Sequence, residues 1–348
     1  MLAAKLSCFR GIDAKVTELK SIEETFENIW YGHHPAALGL KPLAWLYCGI
    51  GAARKAAYTS GLLSSYKAEV PVVVVGNITS GGTGKTPLVI WLVEYFRSLG
   101  YQPGVVARGY RGRAKSWPQQ VRPDSDPVVV GDEPIVIARR AGCPVAVGPR
   151  RGDAVAALLE HADCDIVISD DGLQHYALER SYEIVVLDGI RRIGNGNCLP
   201  AGPLREPATR LESVDLVVTN GIAARGEFAM KYVAEYAQNI RTGEQIALEE
   251  FADKDVHGVA GIANPQRFYS MLRAKGFRVT PHSFRDHAWF RKSDFDFADQ
   301  RPILMTEKDA VKCEHLGLSG CWFVPIAVEL PEVFVRRLSR VFGGDDDG

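Results

Sequence analysis

The sequence predicts an α/β fold: a mostly parallel sheet sandwiched by helices, followed by a smaller C-terminal α/β domain. Three observations carry this expectation. Short β-branched and apolar runs alternate with amphipathic stretches between Val70 and Thr219, the pattern of a parallel sheet covered on both faces. A glycine-rich loop, Gly76-Asn-Ile-Thr-Ser-Gly-Gly-Thr-Gly-Lys-Thr-Pro87, joins the first of these runs to the first of these helices. A second strand-and-helix series begins after about Gly243.

In chain order, the first forty residues are broken by Lys5, Arg10, Asp13, Lys15 and Glu18 and do not read as a cleavable secretory signal. Pro42–Ala53 carries no charge, and Leu43, Leu46, Tyr47 and Ile50 recur at helical spacing with Trp45 beside them. Twelve helical residues span ~18 Å against a hydrocarbon core of ~30 Å, so the expected helix is too short to cross a bilayer. Its aromatic residues and its basic flanks, Lys41, Arg54 and Lys55, suit a membrane interface. Packing on the protein core is the alternative that composition leaves open.

Expected strands follow at Val72–Val75, Gly104–Ala107, Val145–Val147, Ile166–Ser169, Ile184–Leu187 and Leu216–Thr219, with a helix at Leu88–Leu99. The apolar rhythm breaks near Asn220–Gly226, and a helical stretch with polar residues is expected to follow to about Gly243. The second series reads as strands at Val256–Ile262, Arg278–Phe284, Ile303–Met305 and Trp322–Ile326, with helices at Pro265–Lys275, from Lys308, and through Val341. The expected organisation is an N-terminal segment over 1–69 with an amphipathic helix at about 42–58, a core over 70–225 and a C-terminal domain over 226–348. Asp345–Asp347 reads as a solvated acidic tail.

The glycine-rich loop has the context of a phosphate-binding loop. Gly81, Gly82 and Gly84 let backbone amides turn inward around phosphate oxygens. Lys85 supplies positive charge and Thr86 a hydroxyl suited to Mg²⁺, both at a helix N-terminus. The usual spacing would place glycine at Thr79, and the lysine of one ATPase class would stand at Ser80; neither is present. The fold is therefore P-loop NTPase-like, with the reaction left open by the loop alone.

Asp170 and Asp171 end an expected buried strand, where a P-loop enzyme holds Mg²⁺. Sequence does not separate the two. Asp132, within Gly131-Asp-Glu-Pro134, reads on its own as a helix cap. Arg108, Arg111, Arg113, Lys115, Arg150 and Arg151 fall in loops at the carboxyl edge of the expected sheet, where α/β proteins bind ligands. His282 and His287 lack the spacing of a zinc site. The loop Gly194–Pro207 lacks the third glycine of a dinucleotide fingerprint.

A net charge of −1 argues against a general nucleic-acid binder. Seven cysteines without a close pair argue against a disulfide framework or a zinc site, and for a reducing cytosolic compartment.

Together the motifs resemble one family, the tetraacyldisaccharide 4′-kinases, the lipid A 4′-kinases of Gram-negative bacteria. The resemblance runs from about Ile29 to about Phe342. It rests on the 76–87 loop, Arg108-Gly-Tyr110, Gly131-Asp-Glu-Pro134, Asp170-Asp-Gly-Leu-Gln-His175, Leu199-Pro-Ala-Gly-Pro-Leu-Arg-Glu206, Asp286-His287 and Thr306-Glu-Lys-Asp309, in that order. It implies transfer of the ATP γ-phosphate to the 4′-hydroxyl of a tetraacylated glucosamine disaccharide 1-phosphate, forming lipid IVA. It implies that Asp132 is the catalytic carboxylate, paired with His287 and assisted by Lys85 and Arg151.

The resemblance also implies nucleotide contacts from Asn77, Thr79, Ser80, Gly81, Gly82, Thr83, Gly84, Lys85, Thr86 and Gln174. Mg²⁺ would be held among Thr86, Asp170, Asp171 and Glu206. A lipid acceptor favours the interfacial reading of Pro42–Ala53, at the cytoplasmic face of the inner membrane, with no obligate protein partner expected. The competing reading is a soluble P-loop ATPase or GTPase driving a protein partner. Ser80 and the absence of a cysteine metal motif weigh against its main classes.

Overall fold

The computed structural model describes residues 25–32 and 34–343; the readings of residues 1–24 and of Asp345–Asp347 lie outside them. The chain divides into two units. The larger comprises Leu63–Asn77, Gly81–Gly189 and the chain from Val214. The smaller comprises the described residues up to Leu62, with Ile78–Ser80 and Ile190–Ser213.

In the smaller unit, helix α1 spans Ala36–Thr59. At 24 residues it is roughly 36 Å long, twice the expected length. The argument that it is too short to cross a bilayer therefore falls: the helix absorbs Lys41, Arg54 and Lys55 instead of ending at them, and Pro42 lies within it. It is long and apolar enough to span a membrane by length and composition. Ala44 is its one buried residue, whereas Leu38, Leu43, Trp45, Leu46, Tyr47 and Ile50 are exposed.

Cys48 of α1 is disulfide-bonded to Cys198, with their Cα atoms 6.6 Å apart. This corrects the expectation of no disulfide: the partners lie 150 residues apart, a separation that carries no local signature. The Trp30 indole donates to the Pro200 carbonyl at 2.9 Å. Thr79 bridges Leu204, the Ser80 amide donates to Pro203 O at 2.8 Å and that of Arg205 to Ile78 O at 2.7 Å. Glu206 lies 3.3 Å from Arg210.

The larger unit holds two sheets. The first contains β1 (Val72–Gly76), β2 (Pro103–Ala107), β3 (Gln119–Val121), β4 (Val145–Val147), β5 (Ile166–Asp170), β6 (Tyr182–Asp188), β7 (Leu216–Asn220), β8 (Phe228–Val233) and β15 (Ala327–Glu329). Their order is β15-β8-β7-β6-β1-β5-β2-β4-β3. All neighbours are parallel except β3 on β4 and β15 on β8. Thus β1 lies near the middle, and its loop leaves from the carboxyl edge of a buried parallel sheet.

Val73 and Val75 of β1 pack on one face with Leu88, Leu92 and Phe96 of α2 (Lys85–Ser98). Short helix α3 (Pro127–Val130) precedes α4 (Asp132–Ala141), and α5 (Arg151–His161) covers β2 and β4.

The second sheet contains β9 (Tyr236–Asn239), β10 (Gln245–Ala247), β11 (Asp255–Ala260), β12 (Arg278–Ser283), β13 (Ile303–Thr306) and β14 (Cys321–Val324), ordered β10-β9-β14-β13-β11-β12. Helix α6 (Pro265–Ala274) joins a core with Phe268, Tyr269 and Leu272, and α7 (Glu307–Cys313) joins another with Ala310 and Cys313.

Two differences from the sequence reading stand out. The region expected to be helical after Gly226, to about Gly243, contains β8 and β9. Also, β8 pairs with β7, and β15 and α8 (Glu332–Phe342) return to the first sheet, with Phe334 and Leu338 in its core. The second sheet is therefore interposed between strands of the first, and the division at 225/226 falls between two paired strands.

Candidate active site

The phosphate-loop residues of the larger unit are held from several sides. Asn77 is fully buried at the end of β1; its amide donates to Gly81 O at 3.2 Å, and the Gln174 amide donates to Asn77 O at 3.0 Å. Gly84 caps α2 with φ 102°. A Cβ there would run into the Tyr232 hydroxyl and the Asn220 amide, and that same Asn220 amide donates to Thr83 O at 3.2 Å. The loop therefore meets β7 and β8 where only glycine fits. Lys85 and Thr86 open α2 half-buried, at the end of the helix where backbone amides and the helix dipole favour an anion. Thr79 and Ser80 belong to the smaller unit described above.

Asp170 and Asp171, indistinguishable in sequence, have different surroundings. Asp170 is buried at the end of β5 and its Oδ1 has no hydrogen-bond partner. Burial pushes its carboxyl up to about 7, the charge of Glu133 adds to the shift, Lys85 opposes it, Asp171 adds and Arg151 opposes. Asp171, in the left-handed region at φ 50°, pairs with Lys85 at 3.4 Å. A buried, under-satisfied carboxylate beside a loop rich in amide donors is suited to a cation. Among the described residues, no three or more His, Cys, Asp or Glu side chains gather into a protein-built metal cage. Mg²⁺ at phosphoryl-transfer sites needs none, since it takes one or two carboxylates plus substrate oxygens and water.

Arg151 is buried, donating from Nη1 to Gly148 O at 2.9 Å and from Nη2 to Asp170 O at 3.1 Å. Burial lowers its guanidinium to about 10, against the raising influence of Asp171 and Asp170. It braces the strand end that carries the two acids.

Asp132 is not the cap of α4. Gly131 takes that position with φ 90°, and Asp132 is the first helical residue, its Oδ1 accepting from the Glu133 amide at 3.0 Å. Its carboxylate also meets His287 Nδ1 at 2.9 and 3.0 Å and Lys312 Nζ at 3.6 Å. Burial opposes ionisation of Asp132. The hydrogen bond from His287, with the charges of Lys308 and Lys312, nevertheless holds its carboxyl well below the usual carboxylate range. His287 lies in the loop after β12, so the pair joins elements of the two sheets. The His287 amide donates to Gly261 O at 3.1 Å, and its ring centroid lies 5.1 Å from that of Tyr110.

Lys308, at the start of α7, reaches Glu133 Oε1 at 3.0 Å, Asp286 Oδ1 at 3.1 Å and His287 Nε2 at 3.1 Å. Lys312 also pairs with Asp309 at 2.9 Å. Asp309 in turn accepts from the Gly261 amide at 2.8 Å and from the Thr306 hydroxyl at 2.6 Å. Sequence reasoning gave Lys308 and Lys312 no role. Lys308 was visible only as a member of the Thr306-Glu-Lys-Asp309 motif, and Lys312 follows it by one helical turn.

Residues 36–343 match the family described as tetraacyldisaccharide-1-P 4′-kinase. The chain belongs to this family. A tetraacyldisaccharide 4′-kinase of Nitrosococcus oceani is 54% identical over 305 residues, covering 88% of this chain and 90% of that protein. One from Pseudomonas aeruginosa is 45% identical over 318 residues, covering 90% of this chain and 96% of that protein. The crystal structure of LpxK from Aquifex aeolicus, described as an "apo" form in complex with ATP, superposes with a TM-score of 0.73 at 26% identity, covering 88% of this chain and 99% of that one. The Asp132–His287 contact replaces the capping reading: the carboxylate is buried and faces an imidazole.

Proposed function

We infer that this chain transfers the γ-phosphate of ATP to the 4′-hydroxyl of a tetraacylated glucosamine disaccharide 1-phosphate, a step of lipid A biosynthesis. The observation that carries the reading is the Asp132–His287 pair at 2.9 Å, in the same unit as the phosphate loop and with Glu133 acting electrostatically on Asp170. A protein that only hydrolyses nucleotide to drive a partner has no need of a buried carboxylate–imidazole pair poised for an alcohol.

In this reading Asp132 accepts the proton of the sugar hydroxyl while His287 orients the carboxylate. Lys85 and the amides around Gly81–Gly84 hold the phosphates in line with the acceptor, and positioning supplies most of the acceleration. Thr86 with Asp170 or Asp171 would hold Mg²⁺, which when bound neutralises charge on the phosphate oxygens. Arg151 fixes the backbone that presents those acids. Helix α1 rests at the cytoplasmic face of the inner membrane, where the acyl chains of the acceptor lie.

The test supplies the purified protein with labelled ATP, Mg²⁺ and tetraacyldisaccharide 1-phosphate in detergent micelles. Label appearing in the lipid supports the reading. Hydrolysis of ATP without transfer to lipid overturns it in favour of an ATPase.

A further inference from the structure

Lys308 reaches the Asp132–His287 pair from outside the two residues and ends on the far ring nitrogen. An ammonium has three donors and no acceptor. At 3.1 Å from His287 Nε2 it can only donate, so Nε2 presents its lone pair. The ring hydrogen then sits on Nδ1, which faces both oxygens of Asp132 at 2.9 and 3.0 Å. We propose that Lys308 is a positioning residue for phosphoryl transfer: it fixes His287 as the Nδ1–H tautomer and aims that hydrogen at Asp132. This rests on the reading of Asp132 as the base.

The surrounding charges explain why such a residue is needed. Asp132 and Glu133 face the ring region from α4, and Asp286 lies 3.8 Å from His287 Nε2. From α7 come Asp309, Lys312 and Lys308 itself. From the loop after β2 come the Tyr110 ring and Arg111, whose guanidinium donates to the carbonyls of Asp286 and His287. Of these carboxylates, Asp132 and Asp286 lie against the imidazole, and Glu133 meets the Lys308 ammonium. A ring hydrogen moved to Nε2 would leave two lone-pair acceptors, Nδ1 and the Asp132 carboxylate, facing one another. The other two Lys308 donors go to Glu133 and Asp286, so two of these carboxylates anchor the ammonium on Nε2.

Two measurements test this. Long-range ¹H–¹⁵N correlation NMR of histidine-labelled wild-type protein, with His287 assigned through His287→Gln, is expected to show hydrogen on Nδ1 and a bare Nε2. Hydrogen on Nε2, or on both nitrogens, at neutral pH overturns the proposal without any Lys308 variant having to fold. In kinetics, Lys308→Met is expected to lower kcat on the order of 10²-fold at neutral pH, with KM for ATP little changed.

Lys308→Arg, which keeps a cationic donor, is expected to recover most of the lost kcat. Wild-type kcat in Lys308→Met overturns the proposal. Wild-type turnover in Asp132→Asn would instead sink the catalytic reading, and the NMR result then judges the tautomer alone.

Discussion

Arg111 donates from Nη1 to the carbonyl oxygens of both Asp286 and His287, at 3.2 and 3.3 Å, and so clamps a histidine whose backbone sits in the left-handed region at φ 58°. Such a conformation costs on the order of 1–3 kcal/mol and persists only where the surroundings over-determine it. Arg111 from one side and the bond from the His287 amide to Gly261 O from the other provide that. The ring is thereby delivered to Asp132 with its geometry set by the main chain.

Removing the clamp is expected to misplace the ring more than to unfold the protein. Arg111→Met is expected to lower kcat by roughly tenfold to a hundredfold, the scale of an ångström-sized misplacement, with ATP binding preserved. Steady-state kinetics beside an ATP-binding isotherm checks it. Unchanged kcat would mean that His287 holds its conformation without Arg111.

On the proposed mechanism, Asp132 would link catalysis to stability through pH. Its carboxyl ionises in the folded protein well below its unfolded value: burial opposes the shift, and the His287 hydrogen bond with the Lys308 and Lys312 charges outweighs it. A depressed folded value means the contribution to stability is fully present above the unfolded pKa of about 3.9. It is lost as pH falls toward the folded value. Asp132→Asn is therefore expected to cost about 1–3 kcal/mol at pH 7, a gap that narrows below about pH 4. The same variant is expected to lose roughly 10²–10⁴-fold in kcat. Denaturant midpoints at pH 7 and pH 3 read the first effect; a gap of constant size would contradict the linkage.

Gly84 tests the phosphate loop. With φ 102° and the Tyr232 hydroxyl and Asn220 amide occupying the space of a Cβ, Gly84→Ala is strained in backbone and packing together. It is expected to raise the Kd for ATP by more than about tenfold, with a stability loss of about 1–3 kcal/mol. Isothermal titration and a melting curve separate the two. Wild-type affinity would show that the turn does not shape the nucleotide site.

Much of this architecture was legible because buried parallel strands announce themselves. Val72–Val75 is an apolar run of β-branched residues, and the observed strand runs to Gly76. Phe228–Val233 misled because Ala229, Met230 and Lys231 are good helix formers. Pairing with β7 and β15 overrides that propensity. The alternation of Phe228, Met230 and Tyr232, with Met230 fully buried, was the strand signal available.

At the site, the phosphate loop is local and its context was readable, whereas Asp132 looked like a cap because the residue it meets lies 155 positions away. Nothing in the neighbourhood of Lys308 announces that α7 carries it to His287. The Cys48–Cys198 bond was hidden for the same reason.

Helix α1 carries the last prediction. Trp45 is 71% exposed and Leu46 and Ile50 are each more than 60% exposed, an apolar surface that water disfavours and a bilayer accepts. Brominated acyl chains in phospholipid vesicles are expected to quench tryptophan fluorescence in wild type and to lose most of that quenching in Trp45→Phe. Burying one such side chain is worth about 1.5–3 kcal/mol, so Leu46→Glu with Ile50→Glu is expected to weaken vesicle partitioning by at least about 10²-fold. ATP binding, for which Gly81–Thr86 of the larger unit are expected contacts, is expected to survive in that variant and shows that it is folded. Vesicle partitioning that survives both charges would place the membrane contact on another part of the chain.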